Sequence, residues 1–148
     1  MITAITTGAY DLFHIGHLNL LRNAKENCDR LIVGISSSNR IFKYKNKTPI
    51  FSDEERIDIV KSCKYVDDIF LNDGDPDDLE TYTKWVLQFN ATKWFVGTDW
   101  AGSDKWEKLE NELKKNKCIL TFLPYTEGIS TTDIILKIKN NKSLSYLL

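Results

Sequence analysis

The sequence of 148 residues contains two histidines, and both fall in the segment His14-Ile15-Gly16-His17. Spaced three apart where an amphipathic pattern begins, they share one face of a helix's first turn and can point into one cleft. Gly16 between them lets a ligand approach the backbone. Upstream, an apolar run passes through Thr6-Thr7-Gly8-Ala9-Tyr10-Asp11, so the stretch 6–17 spells a strand, a tight loop and a helix N-terminus. Unsatisfied N–H groups and the helix dipole at such a junction favour anions, phosphate above all. A lone histidine on a helix face is ordinarily half-exposed surface, whereas a pair flanking a glycine at this junction points to phosphate chemistry. A metal pair would need a third ligand, and no further ligand residue lies nearby in the pattern.

Three other segments carry candidate groups. The polar stretch Ser36 to Thr48 holds Lys43, Lys45 and Lys47 and reads as a basic functional loop, able to close over phosphates. Ser130 and Thr131 open a helix, where hydroxyls and free N–H groups converge. Gly97 to Trp100 ends a strand, and Asp99 there can accept a hydrogen bond from a base amino group or a ribose hydroxyl.

These segments need elements to position them. Strands are expected over Ile2–Thr6, 31–35, Tyr65–Leu71, 93–96 and Cys118–Leu123. Leu31-Ile32-Val33-Gly34-Ile35 has the continuous apolar character of a strand buried on both faces. Helices are expected at 16–27, from a Ser52/Glu55 capping box to about residue 63, from Asp77-Asp78 to Phe89, at Asp104–Lys115 with Trp106, Leu109 and Leu113 on one face, and from Ser130 onward. In the last, Ile134, Ile135 and Ile138 form the expected buried face. Five strands alternating with helices define an α/β, Rossmann-like, doubly wound five-stranded parallel sheet with helices on both faces. Ligands then bind beyond the carboxyl ends of the strands, which is where all four candidate segments fall.

A mass of 17.1 kDa fits one domain spanning 1–148 with a real core. With 42% hydrophobic and 28% charged residues and a net charge of −1, neither nucleic acid nor a membrane surface is an expected partner. No run approaches the roughly 20 apolar residues of a membrane span, and Met1 leads into a strand without a signal-peptide pattern. Cys28, Cys63 and Cys118 are odd in number and scattered, as in a reduced cytoplasmic protein.

The stretch Thr6 to His17 resembles the nucleotidyltransferase signature with its HxGH core. Further matches follow in order: Lys45-Asn46-Lys47 with Glu55-Arg56, Tyr65-Val66-Asp67, Gly97-Thr98-Asp99-Trp100, and Thr126-Glu127-Gly128-Ile129-Ser130-Thr131-Thr132. Together they are similar to the glycerol-3-phosphate cytidylyltransferases. The resemblance implies transfer of CMP from CTP to a phosphorylated small molecule with release of pyrophosphate. Mg2+ would be held by the nucleotide phosphates rather than directly by the protein. It also implies a homodimer, to which the apolar Leu144 to Leu148 could contribute, and a place in surface-polymer precursor synthesis. His14, His17 and Lys47 would be catalytic. They would contact the nucleotide together with Thr7, Gly8, Ala9, Tyr10, Gly97, Asp99 and Trp100. The turn formed by Tyr125, Thr126, Glu127, Gly128, Ile129, Ser130 and Thr131 would complete that set. Asp11, Lys45 and Lys84 would serve the acceptor, Asp11 alternatively ordering its loop. The sequence departs from the family pattern at Tyr125, where arginine is usual, at Thr98, where aspartate is usual, and near Tyr82, where the family has a lysine. An adenylyltransferase of the same fold and a non-catalytic nucleotide-binding protein are the alternative readings.

Overall fold

A computed structural model describes residues 1–97 and 104–141. Five strands, β1 (Thr3–Gly8), β2 (Arg30–Ser36), β3 (Asp68–Asn72), β4 (Lys93–Gly97) and β5 (Ile119–Leu123), form one sheet in the order β3-β2-β1-β4-β5. Every pairing is parallel, as the doubly wound pattern requires. The helices are α1 (Ile15–Glu26), α2 (Ser38–Lys45), α3 (Asp53–Lys61), α4 (Leu79–Phe89), α5 (Asp104–Lys115) and α6 (Thr131–Asn140).

Side chains alternate across the pleat, so adjacent residues feed separate cores. Ile5, Ile32, Trp94 and Val96 pack on one face with Tyr82 and Val86 of α4 and Leu109 and Leu113 of α5. Ala4, Leu31, Val33 and Phe95 pack on the other with Leu21 and Ala24 of α1 and Val60 of α3. At Gly34 a β-carbon would meet the Phe70 ring at 2.5 Å and the Thr7 methyl at 2.8 Å, so only glycine lets β1, β2 and β3 close here. The chain order reverses about β1, between β2 and β4, and the crevice of such sheets opens there.

Several boundaries differ from expectation. The stretch Ser36 to Thr48 is no open loop: Ser37 caps α2 by accepting the Arg40 N–H at 3.1 Å, and Asn46 ends it in a left-handed conformation with φ 52°. Its buried residues, Arg40 and Ile41, are adjacent and leave no apolar period to read. β3 begins at Asp68, because Asp67 turns its carboxylate back to the Leu31 N–H (2.7 Å) and to Lys25 (2.6 Å). α4, by contrast, begins and ends as expected, with Asp78 as its cap and Phe89 as its last residue. α6 has no fully buried residue; Ile134 and Ile135 are half-buried and Ile138 is 55% exposed. Among the described residues, no helix is long and apolar enough to cross a membrane.

Candidate functional site

A cavity of about 650 Å³ opens over the carboxyl ends of β1, β2 and β4. Its central wall is built by the loop from β1 to α1. Tyr10 and Leu12 adopt left-handed conformations (φ 53° and 48°), which coil the loop tightly over the strand end. The carboxylate of Asp11 accepts the Ile50 and Phe51 N–H groups at 2.7 and 2.9 Å, and its carbonyl accepts the Thr131 hydroxyl at 2.9 Å. Asp11 is 8% exposed and therefore a tie between three segments, which supports its ordering role over contact with the acceptor.

Arg56 braces the same loop from below. Its Nη1 donates to the carbonyls of Ala9 (2.8 Å) and Ser36 (2.7 Å), Nε to Phe51 (3.2 Å), and Nη2 to Asp53 (2.5 Å). The capping box expected at α3 is present, with Glu55 N–H on Ser52 (3.1 Å) and Ser52 N–H on Glu55 (2.8 Å), and it orients the helix that delivers this arginine.

The two histidines are locked together. His14 is the N-cap of α1, and its Nδ1 accepts the Gly16 N–H at 3.0 Å. The Nδ1 of His17 accepts the His14 N–H at 3.2 Å, and the rings stack with centroids 3.7 Å apart. A β-carbon on Gly16 would lie 2.9 Å from the His14 ring, so the glycine makes room for this cap as well as for a ligand. Since both Nδ1 atoms are acceptors, each neutral ring carries its proton on Nε2 and presents that N–H as a donor. Burial, and for His17 also the neighbouring His14, holds both below the usual histidine range, His17 at about 3. The pair consists of neutral donors at neutral pH.

This has a consequence for stability. His17 is neutral in the native state down to about pH 3 but protonates near 6.5 when unfolded, so the unfolded chain binds the extra proton first as pH falls. Native stability is expected to decline from about pH 6.5 downward, by about 2 kcal/mol at pH 5 from His17 alone, at 1.36 kcal/mol per pH unit. Urea unfolding at pH 8 and pH 5 checks this: a His17→Asn variant should lose most of that slope, and retention of the full slope would reject the assignment.

The described residues from the β1 loop that were expected at the site, Thr7, Gly8, Ala9, Tyr10, Asp11, His14 and His17, all line the cavity. From the opposite wall come Tyr125, Thr126, Ile129, Ser130 and Thr131, while Glu127 and Gly128 form the outer turn and do not reach it. Ser130 caps α6 by accepting the Asp133 N–H at 3.0 Å, and Asn19 holds Thr126 at 2.9 Å. Gly97 and Lys45 also line the cavity. Lys47 does not: it is exposed beyond the turn at Asn46. Lys84 is likewise outside, because Tyr82 and Val86 are the buried residues of α4 and Lys84 projects outward with its amine 4.9 Å from the Trp85 ring. Asp99, Trp100 and Thr98, and the segment Leu144 to Leu148, lie outside the described residues.

The lining residues not expected at the site include Arg40, Tyr44, Tyr82, Lys105 and Trp106. Arg40 and Tyr44 sit in the segment taken as a loop, where the one available signal was Ser37 as a helix cap. Trp106, expected on the packed face of α5, packs partly on the core and also faces the cavity.

A parallel sheet with a tight loop, two neutral imidazole donors and a helix N-terminus converging at the chain reversal is an arrangement suited to a phosphate chain, the kind of site a nucleotidyltransferase needs. A family model described as cytidylyltransferase-like matches residues 5–137. A glycerol-3-phosphate cytidylyltransferase of Staphylococcus aureus is 36% identical, covering 90% of this chain and 92% of its own. An ethanolamine-phosphate cytidylyltransferase of Mus musculus is 33% identical over 86% of this chain and 30% of its own. Among solved structures, a lipopolysaccharide core biosynthesis protein from Thermoplasma volcanium superposes with a TM-score of 0.67 at 24% identity, covering 85% of this chain and 97% of its own, a likeness of fold. The chain belongs to the cytidylyltransferase-like family. Its relatives are named cytidylyltransferases, which makes this a nucleotidyltransferase-class enzyme acting on phosphorylated small molecules.

Proposed function

We propose that the protein transfers CMP from CTP to glycerol 3-phosphate or a similar polyol phosphate or phosphonate. An oxygen of the acceptor phosphate attacks the α-phosphorus in line, the bond to the bridging oxygen of the β-phosphate breaks, and pyrophosphate leaves with that electron pair. No protein nucleophile is needed, so catalysis consists of positioning and of donors aimed where charge accumulates. The observation that carries this reading is the pair of fixed Nε2 donors of His14 and His17, in one cavity with the N-terminus of α6. Neutral imidazoles can donate to the α-phosphate oxygens without a proton changing hands. Ser130 and Thr131 with the first N–H groups of α6 would take the triphosphate tail, and Asp99 and Trp100 would serve the base. Lys45 lies at the cavity wall, and Lys47 would have to move in from its exposed position to reach the phosphates.

Mg2+ enters with CTP as part of the substrate, neutralising phosphate charge. Among the described residues no group of three or more His, Cys, Asp or Glu could hold a metal, and the Asp11 carboxylate accepts the Ile50 and Phe51 N–H groups.

Incubation with Mg2+, CTP and a panel of polyol phosphates and phosphonates should release pyrophosphate, with CTP binding measurable by calorimetry. ATP replacing CTP in either assay would move the assignment to an adenylyltransferase. Absence of both binding and release would reject it.

A further inference from the structure

We propose that Arg40 is the seat for the anionic group of the acceptor, a phosphomonoester, and that Tyr82 is its positioning residue. The proposal rests on the nucleotidyl-transfer reading above and adds to it which side chain takes the acceptor.

Arg40 is 6% exposed and lines the cavity. Its Nη1 donates to the Gly74 carbonyl at 2.5 Å and its Nη2 to the Tyr82 hydroxyl at 3.0 Å. Both acceptors are neutral, and two bonds leave three of the five guanidinium N–H groups to be matched. No carboxylate of the described residues lies within ion-pair distance of it. This is unexpected, because the loop that supplies Gly74 is the acidic stretch Asp73 to Asp78. Three of its four carboxylates are engaged elsewhere: Asp73 takes the Ser37 hydroxyl, Asp75 pairs with Lys43 at 3.2 Å and takes the Asp77 N–H at 2.9 Å, and Asp78 caps α4. Tyr82 in turn donates to the Pro76 carbonyl at 3.5 Å. The loop thus grips the arginine through a carbonyl and a phenol, while Asp75 attracts it through space without reaching ion-pair distance.

A buried cation with no carboxylate in direct contact is costly unless a ligand supplies one. The rest of that wall adds positive charge from Lys45 and Lys105, and the lining carboxylate Asp11 is held by two backbone N–H groups. A planar guanidinium with free N–H groups fits two phosphate oxygens at once. The topology places the seat sensibly. His14 and His17 follow the central strand β1. Arg40, Gly74 and Tyr82 follow β2 and β3 on one side, while Gly97 and Tyr125 to Thr131 follow β4 and β5 on the other. Two substrates laid across the sheet would meet at the histidines, with the acceptor on the Arg40 side.

The test is a split of kinetic constants. With glycerol 3-phosphate as the probe acceptor, or whichever phosphomonoester of the panel is turned over, Arg40→Gln should raise the acceptor KM about 10- to 100-fold. The CTP dissociation constant by calorimetry should change less than about twofold. Arg40→Lys, which keeps the charge but not the fork, should fall between. Tyr82→Phe, which leaves Arg40 in place with one anchor fewer, should raise the acceptor KM a few-fold and leave CTP affinity unchanged. These two carry the test if Arg40→Gln does not fold. An acceptor KM within twofold of wild type in the variants, or an equal loss of CTP affinity, overturns the proposal. A wild type that binds CTP yet uses no phosphomonoester overturns it too while sparing the nucleotide half of the function. A wild type that does not bind CTP removes both.

Discussion

Replacing either His14 or His17 with asparagine is expected to lower kcat by about 10²–10³ with little change in folding stability at pH 8 or in CTP affinity. Removal of one preorganised donor to a transition-state oxygen costs about that much. Asparagine is the informative choice because its side-chain oxygen can occupy the place of Nδ1, where it would still accept the Gly16 N–H or the His14 N–H. Asparagine is also among the best N-cap residues, so the helix start survives. What it cannot reproduce is the donor at Nε2. Alanine would remove cap and donor together and confuse a loss of structure with a loss of chemistry. Single-turnover kinetics with saturating CTP, alongside urea unfolding of the same variants, separates the two. Activity that falls only in step with stability would mean that the imidazoles merely cap α1 and that the rate comes from elsewhere in the cleft.

The histidines were readable because they combine a rare residue type with a fixed spacing at a junction whose local geometry is itself encoded. The central strands were equally plain: a strand covered on both faces must be apolar throughout, and 31–35 is. The helix over 38–45 was not, because what it buries is Arg40 next to Ile41, and a buried arginine looks like surface until its partners are known. Those partners, Gly74 and Tyr82, are 34 and 42 residues away. The last helix shows the opposite error. Its isoleucines repeat at helical spacing, but a periodic stripe specifies a face without specifying what covers it, and Ile138 is exposed. Lys47 and Lys84 were assigned from resemblance to positions near the cleft, and the turn at Asn46 and the rotation of α4 direct them outward. Local rules fix elements and caps; side chains that answer to distant carbonyls escape them.

Arg56 is the strongest case of such a side chain, and its replacement is expected to have the largest effect on stability. It is completely buried, and its guanidinium joins the carbonyl of Ala9 in the β1 loop, that of Ser36 at the end of β2, that of Phe51 before α3, and the Asp53 carboxylate. Arg56→Ala would leave three carbonyls without these donors and Asp53 without its ion partner, although Asp53 keeps the Ser38 N–H at 2.9 Å and the Ser38 hydroxyl at 2.6 Å. Breaking one side of a buried charged network costs about 3–5 kcal/mol, against about 0–1 for an exposed pair. The exposed pair Lys114–Glu110 is the matching control. A loss of that size is a large share of the about 5–15 kcal/mol that holds an ordinary domain folded, so Arg56→Lys is the variant in which function can be read. It keeps the charge but reaches one or two acceptors instead of the five that the guanidinium holds once the Ser38 hydroxyl at 3.4 Å is included. The lysine variant should fold with intermediate stability yet lose turnover beyond that deficit, because the Ala9 carbonyl lies between Gly8 and Tyr10 in the loop that positions His14. Urea unfolding decides the first claim: an alanine variant within 1 kcal/mol of wild type would show that the network is dispensable. If the lysine variant then proved fully active, the loop could hold its shape without the brace, and the geometry of the two imidazoles would have to come from their own reciprocal cap alone.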